Sequence, residues 1–323
     1  MSAPEADVAG SSPRPVIAIF GPTGIGKTGV VIELAELLRA RGSRPVAVNC
    51  DAIQVYSGLE VLSGVASAEE NARLEHRLTG FVPVDEEFSA GRYGERAHQE
   101  IDRCLAEGRQ PIVVGGTGLY LRAALTDLDF RPSVPDALRK EVESELEERG
   151  PEAMHATLPP EFRDSIHPND RKRIARTIEL IRDGQAPAPD HKGGGELWTA
   201  DLRQPTLLFG LVDDDDALVE RIDRRVEAMA ACDAAGEVKR AIAGNASRTA
   251  RAAIGFSEFL EGDLDRVKLL HRRYGRRQMT WMRRMAGVEV VEREGRSDEA
   301  VAQAILDRID LDSGRNAAGR SYG

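Results

Sequence analysis

The chain has 323 residues, of which 41% are hydrophobic and 30% are charged, and its formal net charge is −10. These values are typical of a globular protein with one large or two modest domains, and no segment approaches the roughly 18 apolar residues of a membrane span. The negative charge argues against indiscriminate binding to nucleic acid. Three isolated cysteines form neither a disulfide framework nor a zinc pattern, so we expect a cytoplasmic protein without a membrane partner.

The first predicted elements are a leader, a strand, a loop and a helix. Residues 1–14 are rich in Ser, Pro, Ala and Gly and lack the apolar centre of an export signal, so they predict a flexible leader. Residues 16–20 predict a buried strand and residues 30–38 a helix. Between them lies a phosphate-binding loop (P-loop) of eight residues, Gly21, Pro22, Thr23, Gly24, Ile25, Gly26, Lys27 and Thr28.

This P-loop predicts that the protein binds a diphosphate or polyphosphate. Its glycines let backbone amides approach phosphate oxygens, and the helix that follows adds a positive dipole end. The Lys27 ammonium would neutralise phosphate charge, and the Thr28 hydroxyl is placed to ligate Mg²⁺. The alternative, a turn that only connects strand to helix, explains neither the full eight-residue match nor its context.

The second predicted strand, residues 45–50, delivers Asp51 to the edge of the sheet. Ligands bind at the carboxyl ends of strands in open α/β sheets, so Asp51 and Lys27 can face one pocket. There a carboxylate could remove a proton from an acceptor. The alternative is that Asp51 is a turn residue. Residues 63–92 show no clear period and predict a long functional loop.

The next elements complete the predicted core. Residues 93–107 predict an amphipathic helix, and residues 111–114 a third strand that runs into Gly115-Gly116-Thr117. This βαβαβ alternation predicts an α/β fold, a P-loop NTPase-like parallel sheet flanked by helices. Residues 206–212 return to the sheet and end in an acid run, Asp213 to Asp216. That run is either a helix start or a nucleotide-linked metal site.

Between the two halves of the core we predict an all-helical insertion, because strongly charged helical patterns there are uninterrupted by any strand pattern. The predicted organisation is a leader at 1–14, a first core half at 15–126, the insertion at 127–200, a second core half at 201–300, and a terminal helix with a loose tail at 301–323. Two arginine-rich clusters, 171–176 and 271–284, are either solvated helix faces or nucleic-acid contacts.

The motifs, taken in order, resemble those of the tRNA dimethylallyltransferases. The resemblance covers roughly residues 16–292, and its order in the chain is more specific than any single motif. It rests on the P-loop, Asp51-Ala52-Ile53-Gln54-Val55-Tyr56, Gly115-Gly116-Thr117-Gly118-Leu119-Tyr120, His167-Pro168-Asn169-Asp170, Glu220-Arg221-Ile222-Asp223-Arg224-Arg225-Val226, Ala253-Ile254-Gly255-Phe256 and Arg277-Gln278-Met279-Thr280-Trp281.

The resemblance implies transfer of a dimethylallyl group from dimethylallyl diphosphate to the exocyclic amine of the adenosine 3′ of the tRNA anticodon, with Mg²⁺ as cofactor. It implies that Asp51 is the base, that Thr117 positions the acceptor or pyrophosphate, and that Lys27 and Arg221 neutralise the leaving pyrophosphate. Implied tRNA contacts are Asp51, Ala52, Ile53, Gln54, Thr117, Arg139, Lys172, Arg173, Ile174, Ala175 and Arg176. We expect a monomer with tRNA and dimethylallyl diphosphate as its partners.

Three alternatives stay open at this stage. An adenylate isopentenyltransferase would use the same donor on a free nucleotide, although it needs no helical arm of about 70 residues. A P-loop small-molecule kinase is the second alternative, although it would be expected to carry an Asp after residue 114, where this chain has glycine. A tRNA-binding protein without activity is suggested by residues 57–78, where the family's Gly-Thr-Ala-Lys loop and Pro-His-His-Leu element are altered.

Overall fold

The computed structural model describes residues 15–130, 133–185 and 200–319, with the backbone alone for 313–319. The predicted leader therefore lies outside the described residues. These residues contain one fully parallel sheet with the strand order β3-β2-β4-β1-β5-β6, so the predicted α/β fold class is confirmed. The strands are β1 (Val16–Phe20), β2 (Pro45–Asn49), β3 (His76–Arg77), β4 (Gln110–Gly115), β5 (Thr206–Val212) and β6 (Val288–Glu292).

The helices follow in chain order and account for most of the remaining described residues. They are α1 (Lys27–Ala40), α2 (Glu60–Ser63), α3 (Ala68–Arg73), α4 (Ala90–Ala106), α5 (Gly118–Leu125), α6 (Asp136–Arg149), α7 (Pro151–Ala156), α8 (Pro160–Arg163), α9 (Arg171–Arg182), α10 (Asp215–Ala231), α11 (Ala234–Ala243), α12 (Glu258–Glu261), α13 (Leu264–Met282) and α14 (Asp298–Gly319). In the described part of the chain, no helix is long and apolar enough to cross a membrane.

The sheet brings four loops to one edge. In the parallel register, Ile17 of β1 lies beside Ile112 of β4 and Leu207 of β5. Parallel strands end on the same side of the sheet, so the segments after β1, β2, β4 and β5 lie along one edge. They carry the P-loop, Asp51, Thr117 and Asp213.

Both faces of the sheet are buried at its central strands. One side chain set, including Ile17, Ile19 and Phe209, joins residues of α1 and α14 in a single apolar cluster. The alternate residues, such as Ala18 and Phe20, are also fully buried, and α4 and α5 contact β2 and β4. Burial on both faces explains why the strands read as continuous apolar runs rather than as alternating patterns.

Residues 128–199 form a second compact unit, separate from the unit made by the rest of the chain. Its described residues form four helices, α6 to α9, around their own apolar core. Val142, Met154 and Ile174 are the most deeply buried side chains of that core. The charged residues of α6 lie outside this core. Two of them, Glu141 and Glu145, accept hydrogen bonds from Arg182 of α9 at 2.7–2.9 Å.

Three details differ from the sequence-based expectations. Residues 63–92 are not a loop without structure, because they contain α3, β3 and the start of α4, elements too short for a period to show. The strand β6 has no counterpart among the predicted elements; it is an edge strand with only one of its five residues buried, so its apolar signal is weak. The loose tail expected at the end of residues 301–323 is wrong up to Gly319, because α14 continues to that residue and no proline interrupts it.

Candidate active site

The P-loop joins β1 to α1 with two glycines in left-handed conformations. Gly24 and Gly26 have φ values of +81° and +88°, which glycine adopts without strain. A Cβ on Gly24 would lie 2.9 Å from Cγ1 of Ile222 on α10, so the loop is packed tightly against that helix. No side chain in the described part of the chain caps the amino end of α1. The first amides of the helix are therefore available to an anion.

Lys27 lies folded over the P-loop. Its Nζ donates hydrogen bonds to the carbonyl oxygens of Gly21 and Pro22, each at 3.0 Å. Burial and the positive charge of Arg225 lower the pKa of Lys27 to about 8, although Asp51 raises it. A diphosphate bound here would stabilise the charged form of Lys27, because its negative charge would offset the burial of the ammonium and the charge of Arg225.

Asp51 forms a turn and also faces the charged centre. Its Oδ1 accepts hydrogen bonds from the amides of Ile53, at 2.9 Å, and Gln54, at 3.4 Å. The turn alternative considered for this residue is therefore present. Its charge nevertheless raises the pKa of both Lys27 and Arg225, which places the carboxylate near the two cations. One carboxylate oxygen suffices for the turn, so the two roles are compatible.

Thr117 follows β4 and connects the loops after β2 and β4. Its Oγ1 accepts a hydrogen bond from the Ala52 amide at 3.1 Å and lies 3.3 Å from the hydroxyl of Tyr274 on α13. Burial raises the pKa of the Tyr274 phenol above its usual range, so this hydroxyl keeps its proton. Thr117 thus lies beside the turn that carries Asp51, and its role in positioning the acceptor or the pyrophosphate stays a prediction.

One face of α13 binds both glycine loops. The side chain of Gln278 accepts a hydrogen bond from the Thr23 amide at 2.8 Å and donates one to the Gly116 carbonyl at 2.7 Å. Trp281, three residues further, packs on Gly118 so closely that a Cβ there would overlap its ring. The glycines after β4 are therefore needed for the approach of α13. These contacts explain two residues of the motif at 277–281, Gln278 and Trp281.

Arg221 does not lie free at the phosphate site. Its Nε is 3.2 Å from Oδ2 of Asp213, whose side chain is only 1% exposed. The neighbouring Asp214 caps α10 by accepting hydrogen bonds from the amides of Asp216 and Ala217. The acid run is therefore a helix start, one of the two alternatives, and its first member pairs with Arg221.

Arg225, one turn after Arg221, is the cation that the sequence interpretation missed. Its charge lowers the pKa of Lys27, and burial lowers its own pKa. One Nη donates a hydrogen bond to the Ser63 carbonyl at 2.8 Å, while its Nε is buried without a hydrogen-bond partner among the described residues. The helical spacing of four residues was the available signal, because it puts both arginines on one face of α10.

Gln54 has a structural partner in the short helix α2. Its Nε2 donates to the carbonyl of Gly64 at 3.0 Å and more weakly to that of Ser63 at 3.3 Å. At the other end of α2, the buried carboxylate of Glu237 accepts from the amides of Val61 and Leu62 at 2.7–2.9 Å. Residues 60–64, within the stretch at 57–78 that departs from the family motifs, are therefore held in place by hydrogen bonds at both ends of α2.

The insertion carries the predicted basic cluster on α9. Lys172 and Arg173 are exposed, whereas Arg176 bonds the buried carboxylate of Glu179 at 2.9 Å. Arg139 is largely buried and pairs with Asp136 at 3.3 Å. Ile174 and Ala175 lie in the core of this unit, where Ile174 is fully buried and Ala175 is only 8% exposed; their prediction as tRNA contacts stays untested.

A magnesium ion fits this site only with help from a substrate. Among the described residues, no group of three His, Cys, Asp or Glu side chains could hold a metal. The half-buried Thr28 lies in the first turn of α1, next to the proposed phosphate position. Mg²⁺ keeps several waters and commonly binds through substrate phosphates, so diphosphate oxygens and Thr28 form a suitable ligand set.

Comparisons with known proteins decide the family. A family model described as IPP transferase matches residues 54–285. The chain belongs to the IPP transferase family. It is 35% identical to the tRNA dimethylallyltransferase of Exiguobacterium sibiricum, over 92% of this chain and 96% of that protein. It is 37% identical to the same-named protein of Anaeromyxobacter dehalogenans strain 2CP-1, over 84% of this chain and 91% of the relative.

Solved structures of IPP transferases share this fold. The tRNA isopentenylpyrophosphate transferase of Bacillus halodurans aligns with a TM-score of 0.66 and 26% identity, over 94% of this chain and 99% of that one. The tRNA isopentenylpyrophosphate transferase of Staphylococcus epidermidis gives 0.64 and 28%, over 92% and 99%. The resemblance noted in the sequence is thus confirmed. The roles of individual residues stay predictions.

Proposed function

We propose that this IPP transferase moves a dimethylallyl group from dimethylallyl diphosphate to the exocyclic amine of an adenosine in tRNA, and that this adenosine lies 3′ of the anticodon. The observation that carries the proposal is the meeting of a P-loop, Asp51 and Thr117 at one sheet edge. It occurs in a chain that matches proteins named tRNA dimethylallyltransferase over most of its length.

The donor diphosphate would lie on the P-loop. Its oxygens would accept hydrogen bonds from the amides at the start of α1. They would also accept hydrogen bonds from the Lys27 ammonium in place of the two carbonyl oxygens that it contacts now. The positive charge of Arg225, which already acts on Lys27, would add to this neutralisation. Mg²⁺, held by Thr28 and the diphosphate, would stabilise the leaving group when bound. We therefore propose that the P-loop binds dimethylallyl diphosphate and that the protein does not hydrolyse ATP to a substantial extent.

The bond changes define the remaining roles. The bond between the donor's allylic carbon and its diphosphate oxygen breaks, and the electron pair leaves with the diphosphate. A bond forms between that carbon and the adenine amine, which must lose one proton. The half-buried Asp51 carboxylate is the proposed acceptor for that proton. Thr117, bonded to the Ala52 amide, would help to position the amine.

The acceptor is proposed to be a tRNA and not a free nucleotide. The second compact unit, residues 128–199, presents Lys172 and Arg173 on an exposed helix end, and a mononucleotide needs no such unit. The target base would have to leave its stack to reach the sheet edge, at a cost of about a few kcal/mol. We further propose a monomer in the cytoplasm, where the three free cysteines would remain reduced.

The kinase alternative loses its best support in this structure. After β4 the chain continues with glycine and threonine, and the acid after β5 is paired with Arg221. Neither β4 nor β5 is therefore followed directly by an unpaired carboxylate that could hold a nucleotide's Mg²⁺ as a Walker-type aspartate does.

The test is product analysis. Unmodified tRNA is incubated with the purified protein, Mg²⁺ and dimethylallyl diphosphate, digested, and its nucleosides are measured by mass spectrometry. An adenosine heavier by one dimethylallyl group is expected, together with released diphosphate. Sequencing of the modified fragment locates the base relative to the anticodon. Prenylated free adenosine monophosphate with unmodified tRNA would instead support the free-nucleotide enzyme.

A further inference from the structure

The segment after residue 285, where the match to the family model ends, contacts the P-loop through Arg293. Arg293 follows β6 and is only 6% exposed. Its amide donates a hydrogen bond to the Val212 carbonyl at 2.8 Å, which extends the pairing of β6 with β5. Its Nη1 donates to the carbonyl of Ile25 at 2.9 Å, and its Nη2 pairs with Asp298 at the start of α14.

The contact between this guanidinium and the P-loop is close. A Cβ on Gly26 would lie 2.7 Å from Nη1 of Arg293, and one on Gly29 would overlap the Asp298 carboxylate. The glycine at position 26 is thus required by its conformation and also by Arg293. Burying the guanidinium is costly, and its Nε has no hydrogen-bond partner in the described part of the chain. A buried guanidinium with an unsatisfied nitrogen destabilises the fold, so we expect Arg293 to have a role other than packing.

Peptide geometry indicates that role. A trans peptide is planar, and its C=O and N–H point in opposite directions. The Ile25 carbonyl is held from behind by Arg293, so the amide of the same peptide, that of Gly26, points away from Arg293. The P-loop binds phosphate through such amides. Rotation of the Ile25–Gly26 peptide would replace a donor with a carbonyl oxygen that repels the ligand.

We propose that Arg293 is a positioning residue for the diphosphate: it fixes the Ile25–Gly26 peptide so that the Gly26 amide faces the ligand, and Asp298 fixes Arg293. This inference rests on the proposed function, in which the P-loop holds a diphosphate. Arg293 acts through the peptide, because its own charge is balanced by Asp298. Removing it should therefore weaken diphosphate binding without changing the use of tRNA.

The chain offers a matched control. Arg308 of α14 pairs with Glu289 of β6 at 2.9 Å, so it links the same two elements as Arg293 without a described contact to the P-loop. R293M and R308M therefore remove the same functional group from the same interface. R293K keeps a charge and a donor near Ile25. Thermal melting of each variant is compared first.

Binding of inorganic pyrophosphate with Mg²⁺ is then measured by calorimetry. The Kd of R293M should rise about tenfold, as expected for a lost hydrogen bond involving a charged group. R293K should recover part of the loss, and R308M should bind like the wild type. The KM for dimethylallyl diphosphate should follow the Kd, with kcat at saturating donor and the KM for tRNA unchanged. If R293M does not fold, D298N, which frees the guanidinium, should raise the Kd about threefold.

Two results would overturn the inference. One is pyrophosphate binding by folded R293M, or by D298N where R293M is unfolded, that equals the wild type. The other is an equal loss in R293M and R308M, which would show a general effect of the α14–β6 interface. Failure of the wild type itself to bind pyrophosphate would contradict the diphosphate site of the proposed function as well. Wild-type binding with normal R293M binding would contradict the Arg293 inference alone.

Discussion

Replacement of Asp51 by asparagine separates the two roles that the structure gives this residue. As a turn residue, Asp51 accepts hydrogen bonds from the amides of Ile53 and Gln54 through Oδ1. An asparagine keeps that oxygen and the shape of the side chain, so the turn can persist. It cannot take a proton from an adenine amine. D51N therefore removes the proposed base and leaves the local fold in place.

The expected sizes of these effects differ widely. Because both hydrogen bonds of the turn are kept, the free energy of unfolding should change by less than about 0.5 kcal/mol. Loss of a positioned base should lower the rate of transfer by roughly 10²–10⁴-fold, which corresponds to about 3–5 kcal/mol of transition-state stabilisation. Asp51→Ala should lose as much rate and, because it also breaks the turn, about 1–2 kcal/mol of stability.

The assay is single-turnover transfer from labelled dimethylallyl diphosphate to tRNA at about pH 7, with urea unfolding measured in parallel. Pyrophosphate binding should survive in D51N at this pH. It should fall off earlier as the pH rises, because Asp51 raises the pKa of Lys27. The control is D233N, which changes an exposed aspartate that accepts a hydrogen bond from the Gly236 amide at 3.0 Å. Transfer by D51N at the wild-type rate, in a protein of normal stability, would refute the role of base.

Three further predictions follow from charge and burial. The pKa of Lys27 is about 8, so the Kd for pyrophosphate should rise above that pH by up to about tenfold per unit, and K27R should abolish this rise. The double variant K172A/R173A should raise the KM for tRNA and flatten its salt dependence, with the donor KM unchanged; identical salt slopes would make the cluster a solvated face. Burial lowers the pKa of His271 to about 4, so stability should be complete above about pH 6.5 and fall by about 3 kcal/mol as the pH drops to 4, a loss that H271Q should reduce in urea titrations.

The sequence predicted those parts of the fold whose residues carry a local signal. The strand at residues 206–212 matches β5 residue for residue, and the P-loop follows β1 as expected. Both strands are central and largely buried on two faces, so apart from Thr206 they consist of apolar residues and glycine. The two-residue strand β3 and the four-residue helix α2 are held by remote partners, such as Glu237 at α2. Their own sequences are too short to show a period, which explains the prediction of a long loop.

The choice between Arg221 and Arg225 shows a second limit. Both lie on one face of α10, and a motif cannot tell which of them is neutralised. The answer depends on Asp213, which follows β5 and is buried against Arg221. Asp213 balances the charge of Arg221, whereas Arg225 is the arginine whose charge lowers the pKa of Lys27. The sign of the local charge is thus set by a contact between two elements, which spacing within one element does not contain.

The same reasoning explains why distant segments matter to a site built from strand ends. A parallel sheet brings the loops after β1 and β4 side by side, yet it does not fix where their peptides point. Here Gln278 of α13 bonds the Thr23 amide in one loop and the Gly116 carbonyl in the other, while Arg293 holds the Ile25 carbonyl two residues further along the P-loop. Each of these side chains selects one orientation of a flexible glycine-containing peptide. In the proposed site, the positions of the amides that would bind phosphate therefore depend on residues more than 250 positions away in the chain.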